Sequence, residues 1–281
     1  MKVLRADVLG MCFGVRDALD ILRDVRDPED VTIHGELVHN EAVLVELGSR
    51  GFHMVPEKER TNVPATDRVL ITAHGISDKE RVRLEEAGKE LIDTTCPLVK
   101  RAHQAAQKLQ ADGYFVIVIG RPGHVEVQGI IEDLDRYEVV SHPEEVYTYP
   151  SKRLGIMCQT TTPDRLTKAI REVVAEHNPD AEIRFVDTVC HPTKDHQTSL
   201  ERLLTEVDVM IVVGGKNSNN TKELVNRCRE RHVNAHHIQQ AGDLRLDWFE
   251  NVSTVGLTAG TSTLDSTIDE VYETLKKLGN Q

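Results

Sequence analysis

Cys12, Cys96 and Cys190 each close a short apolar run and open an amphipathic stretch, in a chain with two other cysteines. Three thiols in like settings point to one metal centre assembled from three similar segments. Two surroundings are near copies, Ile92-Asp93-Thr94-Thr95-Cys96-Pro97 and Val186-Asp187-Thr188-Val189-Cys190-His191-Pro192. The first, Val8-Leu9-Gly10-Met11-Cys12-Phe13-Gly14, keeps the position without the Asp-Thr pair. A structural zinc site usually closes with four ligands, often in CxxC pairs, and no CxxC occurs here. Iron–sulfur clusters normally take four cysteines, so three would leave one iron open to water or substrate. An iron of that kind is a reaction centre. Each cysteine also leads into an expected helix, whose first N–H groups and dipole favour thiolate by roughly 0.3–1 kcal/mol. Cys158 and Cys228 fall inside a strand pattern and a helical run and read as packing residues.

Histidines at expected strand ends form a second constellation: His39 in Val38-His39-Asn40, His74 in Ala73-His74-Gly75 and His124 in Pro122-Gly123-His124. Imidazolium pairs with phosphate oxygens, and the neighbouring glycines let main chain approach a ligand closely. In the last third their places are taken by Gly214-Gly215-Lys216-Asn217-Ser218-Asn219-Asn220 and Gly260-Thr261-Ser262. Glycine turns with hydroxyl and amide donors are a phosphate cradle without a Walker lysine pattern. Glu126, two residues beyond His124, reads either as a proton donor whose pKa is raised by desolvation or as an ordinary first-turn helix glutamate. His191, His196, His232, His236 and His237 lack a completing ligand set at familiar spacing and read as solvated surface, as do Glu29-Asp30 and Glu57-Lys58-Glu59-Arg60.

These residues need elements to carry them. Val/Ile-rich runs at 69–72, 114–119 and 207–213 alternate with helical patterns of ten to fifteen residues, the mark of βαβ units with a parallel sheet. Helices are expected after Pro97, Pro163 and Pro192, and Ser77-Asp78-Lys79-Glu80 reads as a capping box. Counting from each cysteine gives a repeat: His39, His124 and Ser218 follow Cys12, Cys96 and Cys190 by 27, 28 and 28 residues. His74, Thr160 and Ser262 mark a second polar strand end in each third, the last displaced by extra residues between Arg231 and Asn251. The chain is therefore expected to be α/β, with three related units of mostly parallel sheet around a pseudo-threefold axis and the metal cluster at its centre. The units are 13–95, 96–188, and 189–281 with 1–12. Ligands of open parallel sheets bind beyond the carboxyl ends of the strands, where the cysteines would meet.

Charge and composition narrow the partners. Forty-six acidic against 34 basic residues give −12, which argues against nucleic acid or an anionic membrane, and 4% aromatic content leaves little for base stacking. No apolar run approaches a membrane span of roughly 20 residues. Met1–Asp7 lacks the apolar core of a signal peptide, so the expected location is the cytosol, where cysteines are thiols or metal ligands.

Taken in order, Met11-Cys12-Phe13-Gly14-Val15, Val38-His39-Asn40, Ala73-His74-Gly75, Thr95-Cys96-Pro97, Gly123-His124-Val125-Glu126-Val127, Gln159-Thr160-Thr161, Asp187-Thr188-Val189-Cys190 and Gly214-Gly215-Lys216-Asn217-Ser218 resemble the 4-hydroxy-3-methylbut-2-enyl diphosphate reductase family. The resemblance covers nearly the whole chain. It implies a [4Fe-4S] cluster on Cys12, Cys96 and Cys190, with the fourth iron facing the substrate. It implies a two-electron, two-proton reduction of an allylic alcohol diphosphate to isopentenyl and dimethylallyl diphosphates, the last step of the non-mevalonate isoprenoid pathway, with electrons from a ferredoxin or flavodoxin. Carried onto matching positions, it implies that Thr160 orients the substrate hydroxyl, Glu126 delivers protons and His124 stands beside them. The diphosphate would rest on His39, His74, His124, Ser218, Asn220 and Ser262, with Asn219 as a further contact. Val125, Asn219 and Leu264 depart from the commonest family residues, which bears on the fine geometry of the diphosphate pocket and removes no proposed ligand.

Two other readings fit parts of the pattern. A three-cysteine cluster could serve as a Lewis acid without net redox, as in aconitase-like dehydratases or quinolinate synthase. A non-catalytic metal-binding sensor would account for the cysteines and leave the His, Ser and Asn positions without a purpose.

Overall fold

The computed structural model describes residues 1–279, in which helices and strands alternate as a thrice-repeated series. The chain opens with β1 (Lys2–Arg5) and α1 (Phe13–Arg23), then β2 (Val31–His34), α2 (Glu41–Ser49), β3 (His53–Val55), β4 (Arg68–Ile71), α3 (Asp78–Glu86) and β5 (Glu90–Asp93). The order from α1 onward recurs as α4 (Pro97–Ala111), β6 (Phe115–Ile119), α5 (Val125–Ile131), β7 (Tyr137–Val140), β8 (Arg153–Cys158), α6 (Asp164–His177) and β9 (Glu182–Val186). It recurs again as α7 (His191–Leu203), β10 (Val209–Val213), α8 (Asn219–Glu230), β11 (Asn234–Ile238), β12 (Thr254–Ala259) and α9 (Asp265–Gly279). The last two residues of the expected third unit, Asn280 and Gln281, lie outside the described residues.

Three four-stranded sheets result, β3-β2-β4-β5, β7-β6-β8-β9 and β11-β10-β12-β1, and every strand pairing among the described residues is parallel. All three have the same strand order. The N-terminal strand fills the fourth place of the last sheet, with Val3 opposite Val255. Each fourth strand, β5, β9 or β1, therefore runs toward a cysteine, and that cysteine stands immediately before a helix, α4, α7 or α1.

The chain divides into two compact units. One holds Met1–Arg16, His39–Val43 and His191–Gln281, with a single sheet; the other holds Asp17–Val38 and Leu44–Cys190, with two. In the first, Ile211 and Val213 of β10 pack against Ile268, Val271 and Leu275 of α9. The alternate residues Met210 and Val212 pack against Leu200 and Leu203 of α7 and Leu224 of α8. In the second, Val116 and Val118 of β6 meet Ala102, Ala106 and Leu109 of α4, while Ile117 and Ile119 meet Ile170 and Val174 of α6. A strand covered on both faces has to be apolar at every position, which is why these runs read as continuous. Each such side chain contributes roughly 1.5–3 kcal/mol by burial.

Helix starts fall where proline and serine placed them, with one difference. Ser77 caps α3 by accepting the Glu80 N–H at 3.0 Å, but the Glu80 carboxylate does not return to the Ser77 N–H. It is taken by the charged Arg83 at 2.6 and 2.7 Å and by the fully buried His34 at 2.9 Å, which together outcompete a backbone amide. Among the described residues, no helix is long and apolar enough to cross a membrane.

Candidate active site

The Asp-Thr-x-Cys segments are built by hydrogen bonds that explain their composition. Asp93 Oδ1 accepts the Thr95 N–H at 2.9 Å and Asp187 Oδ1 accepts the Val189 N–H at 3.1 Å, Asx turns that bend the chain out of the strand. Thr94 and Thr188 donate their hydroxyls to the carbonyls of Ile71 and Cys158 on the neighbouring strand. Each cysteine N–H then bonds to a turn after the sheet's third strand: Cys96 to Ala73 O at 3.1 Å, Cys190 to Thr160 O at 2.9 Å, and Cys12 to Thr261 O at 2.9 Å. The Cys12 segment lacks Asp-Thr and instead donates the Gly10 N–H to Ala259 O at 3.4 Å. Three cysteines are thus fixed at their main chain in one manner.

All five cysteines are thiols. Burial pushes the Cys96 thiol up, outweighing the N–H groups of Leu98 and Val99 that favour its thiolate. The helix start thus acts at Cys96 in the expected direction, toward thiolate, and burial outweighs it there. Cys158 and Cys228 are fully buried packing residues, and burial pushes Cys228 up to about 12.

In the two-sheet unit, α5 begins with His124 as its N-cap, whose Nδ1 accepts the Glu126 N–H at 3.2 Å. Acceptance at Nδ1 places the proton of the neutral ring on Nε2. Glu126 is 2% exposed. Its Oε1 accepts the Thr160 N–H at 2.6 Å and its Oε2 meets Thr160 Oγ1 at 2.8 Å. Burial raises its pKa to about 7, against the opposing pull of both Thr160 hydrogen bonds. At neutral pH this carboxyl is shared between acid and base forms, which suits proton transfer. Glu126 does stand in the first turn of α5, and it is buried there. Thr160 links it onward, since its carbonyl receives the Cys190 N–H. The rings of His74 and His124 stand edge to face, centroids 5.7 Å apart.

Two placements differ from the counted repeat. His39, His124 and Ser218 are not strand ends: each lies five residues past its strand, at or near the start of the next helix, where side chains cap and anions bind. Thr160 also sits one position earlier than His74 and Ser262. The turns are closed by Gly75 N–H to Thr72 O, Thr162 N–H to Gln159 O and Thr263 N–H to Gly260 O, which aligns Thr161, not Thr160, with His74 and Ser262. Thr160 aligns instead with Ala73 and Thr261, the carbonyls that hold the other cysteines.

In the single-sheet unit, Ser218 caps α8 by accepting the Thr221 N–H at 3.2 Å. Asn220 is 2% exposed, yet its Oδ1 and Nδ2 have no hydrogen-bond partner among the described residues, and the same holds for the buried Ser262 Oγ. Buried amides and hydroxyls left unmatched cost about 1–3 kcal/mol each, so these atoms fit a polar ligand. Asn40 Nδ2 holds the Ser262 carbonyl at 2.7 Å, and Asn219 is the half-buried first residue of α8. A Cβ on Gly215 would lie 2.1 Å from the His39 carbonyl oxygen, so only glycine lets these two loops close on each other.

Of the histidines expected on solvated surface, His191 and His232 are exposed, whereas His196, His236 and His237 are buried or half-buried. His191 is exposed, stacked on Phe13 with centroids 5.5 Å apart. His196 is buried against Ala259 O at 3.1 Å, and burial lowers its pKa. His236 stacks on Trp248, and His237 Nε2 lies 2.9 Å from Gly214 O. Sequence spacing alone gives Gln159 no role of its own. Its Oε1 accepts the Arg121 N–H at 3.0 Å, tying the loop before His124 to the turn of Thr160.

One strand order and one cysteine-bearing turn, repeated at three sheets, make this a repeat-built parallel α/β protein. The chain belongs to the LytB family, whose model, described as LytB protein, matches residues 3–276. A 4-hydroxy-3-methylbut-2-enyl diphosphate reductase of Dehalococcoides mccartyi is 37% identical over 284 residues, covering 99% of each chain. One of Geobacter sulfurreducens is 35% identical over 288 residues, covering 100% of this chain and 99% of its own. The solved E-1-hydroxy-2-methyl-but-2-enyl-4-diphosphate reductase of Plasmodium falciparum is similar with a TM-score of 0.90 at 27% identity, covering 98% of this chain and 88% of that one. A solved (E)-4-hydroxy-3-methyl-but-2-enyl diphosphate reductase, titled the terminal enzyme of the non-mevalonate pathway, gives 0.68 at 32% identity, covering 99% and 100%.

Proposed function

We propose that the protein is an iron–sulfur oxidoreductase that converts (E)-4-hydroxy-3-methylbut-2-enyl diphosphate to isopentenyl and dimethylallyl diphosphates. The observation that carries this reading is Glu126, a buried carboxyl near neutral pKa, bonded through Thr160 to the turn that fixes Cys190. Family membership and full-length relatives that carry this reductase name support it.

Cys12, Cys96 and Cys190 would hold a [4Fe-4S] cluster. The fit lies in the donor set: three thiols, each fixed by the same main-chain bond to a strand-end turn. A cluster takes each thiolate on a different iron, so its ligands need not converge on one ion. Among the described residues no three His, Cys, Asp or Glu side chains are placed to hold a single ion. When bound, the cluster supplies electrons singly, together with one Lewis-acidic iron.

The rest falls to this chain's own side chains. Two electrons and two protons replace the C–O bond of the alcohol by C–H and release water. Glu126 in its acid form gives a proton to the departing hydroxyl, and Thr160 Oγ, 2.8 Å from that carboxyl, holds the hydroxyl in line. His124 presents its Nε2 proton as a donor beside them. Diphosphate oxygens would be met by His39, His74, His124, Ser218, Asn219, Asn220 and Ser262; the unmatched atoms of Asn220 and Ser262 support their part in this. The small allylic diphosphate is the substrate, ferredoxin or flavodoxin the electron donor, and the cytoplasm the location. We take the repeats as 13–95, 96–188 and 189–281 with 1–12, divisions that place one cysteine-bearing turn at each boundary.

Addition of the allylic diphosphate to anaerobically purified protein is expected to change the visible spectrum of the cluster, saturably and at a single site. An intact cluster whose spectrum ignores the substrate would overturn the reading.

A further inference from the structure

The charge run at 57–60, read from sequence as a solvated face, instead reaches into the two-sheet unit. Its Glu57 and Arg60 side chains join two loops at the carboxyl edge of the sheet β3-β2-β4-β5. Glu57 Oε1 accepts the Glu36 N–H at 2.8 Å, in the loop after β2. Gly35 makes room with a φ of +107°, where an added Cβ would lie 2.6 Å from that same oxygen. Glu57 Oε2 pairs with Arg60 Nη1 at 3.1 Å, and Arg60 Nη2 donates to the Gly75 carbonyl at 3.2 Å. The Arg60 side chain is 16% exposed. Behind it, Arg83 donates to the carbonyls of Arg60 and Thr61 while gripping Glu80, and Glu80 meets the fully buried His34 at the end of β2. Arg60 is therefore fixed at its backbone as well as at its guanidinium. A planar fork that bonds a carboxylate with one nitrogen and a carbonyl with another sets the distance between them.

What this strut fixes is the turn Thr72-Ala73-His74-Gly75, at the residue after His74. We propose that Arg60, oriented by Glu57, is a positioning residue for diphosphate recognition: it holds the His74 turn and the loop leading toward His39 in their binding conformation. This rests on the reductase reading above. A donor that is already in place loses less on binding, so loosening the turn weakens substrate affinity first, while the Glu126–Thr160 pair, built on a different sheet, keeps its own two hydrogen bonds.

The test compares holoenzyme carrying Arg60→Met or Arg60→Lys with wild type, by steady-state kinetics, titration with inorganic pyrophosphate, and amide exchange at Glu36 and Gly75. Arg60→Met is expected to raise KM about tenfold, to change kcat by less than about threefold, and to speed exchange at both amides. Arg60→Lys should recover part of the KM, since an ammonium reaches one partner but not both. Unchanged KM and exchange in Arg60→Met would overturn the proposal, as would a loss of kcat and iron together at unchanged KM, the mark of a merely structural role. If Arg60→Met does not fold, Arg60→Lys decides: wild-type KM and exchange overturn it. Should wild type fail to turn over the allylic diphosphate, the reductase reading falls, and pyrophosphate affinity with amide exchange still judges the strut. Weaker affinity in Arg60→Met supports it, and equal affinity overturns it.

Discussion

Glu126→Gln is expected to retain the cluster and lose turnover by about 10²–10³-fold, measured as kcat with excess reductant. Glutamine keeps the shape: its oxygen can accept the Thr160 N–H, and its amide can donate to Thr160 Oγ. What it cannot do is release a proton. Near wild-type turnover would reject the role of Glu126. The same substitution has a stability signature with a definite sign. The carboxyl titrates near 4.5 in its ordinary state and near 7 when folded, so the native state binds the proton more tightly. Folded stability from this group is then full below pH 4.5 and declines as pH rises toward 7, by up to about 3 kcal/mol. Glutamine has no proton to lose. Urea unfolding should find the variant gaining on wild type from pH 4.5 to 7 and keeping a constant lead above it. A lead that grows as pH falls would contradict the buried-acid assignment.

The second large effect belongs to the cysteines. Cys12→Ser, Cys96→Ser and Cys190→Ser are each expected to remove most of the bound iron and sulfide and at least about 99% of activity, because an alkoxide is a poor substitute for thiolate at a cluster. Cys158→Ala and Cys228→Ala should keep iron at about four per chain, at a stability cost of about 1–2 kcal/mol for the small cavities they leave. Both are fully buried in apolar clusters. Iron and sulfide analysis of the five variants separates the two groups; full iron in any of the first three would remove that cysteine from the ligand set. Thiols that become cluster ligands give up their protons, so cluster loading should also release protons.

Much of this was readable in the chain because it is written locally. Asp93-Thr94 and Asp187-Thr188 each make one bond within two residues and one to the adjacent strand, so the same four-residue string produces the same turn. Strand runs such as Val209–Val213 announce two-sided burial by having no polar position. Other features were hidden for equally physical reasons. Counting from a cysteine passes through loops of unequal length, so it could not register that Thr160 occupies the Ala73 place in its turn and not the His74 place. His196 looks polar among its neighbours, but α7 turns it inward toward Ala259, 63 residues away. The bond from Arg60 to the Gly75 carbonyl joins positions 15 residues apart with no periodic signal between them. Short-range turn chemistry is legible; the partner of a long side chain is not.

The central claim is reductive removal of an allylic hydroxyl, and turnover tests it most directly. Anaerobically purified protein with a full cluster is given (E)-4-hydroxy-3-methylbut-2-enyl diphosphate and a one-electron chemical reductant, and the products are separated. The account predicts isopentenyl and dimethylallyl diphosphates at the expense of two electrons per molecule; an intact cluster that leaves the substrate unchanged would contradict it.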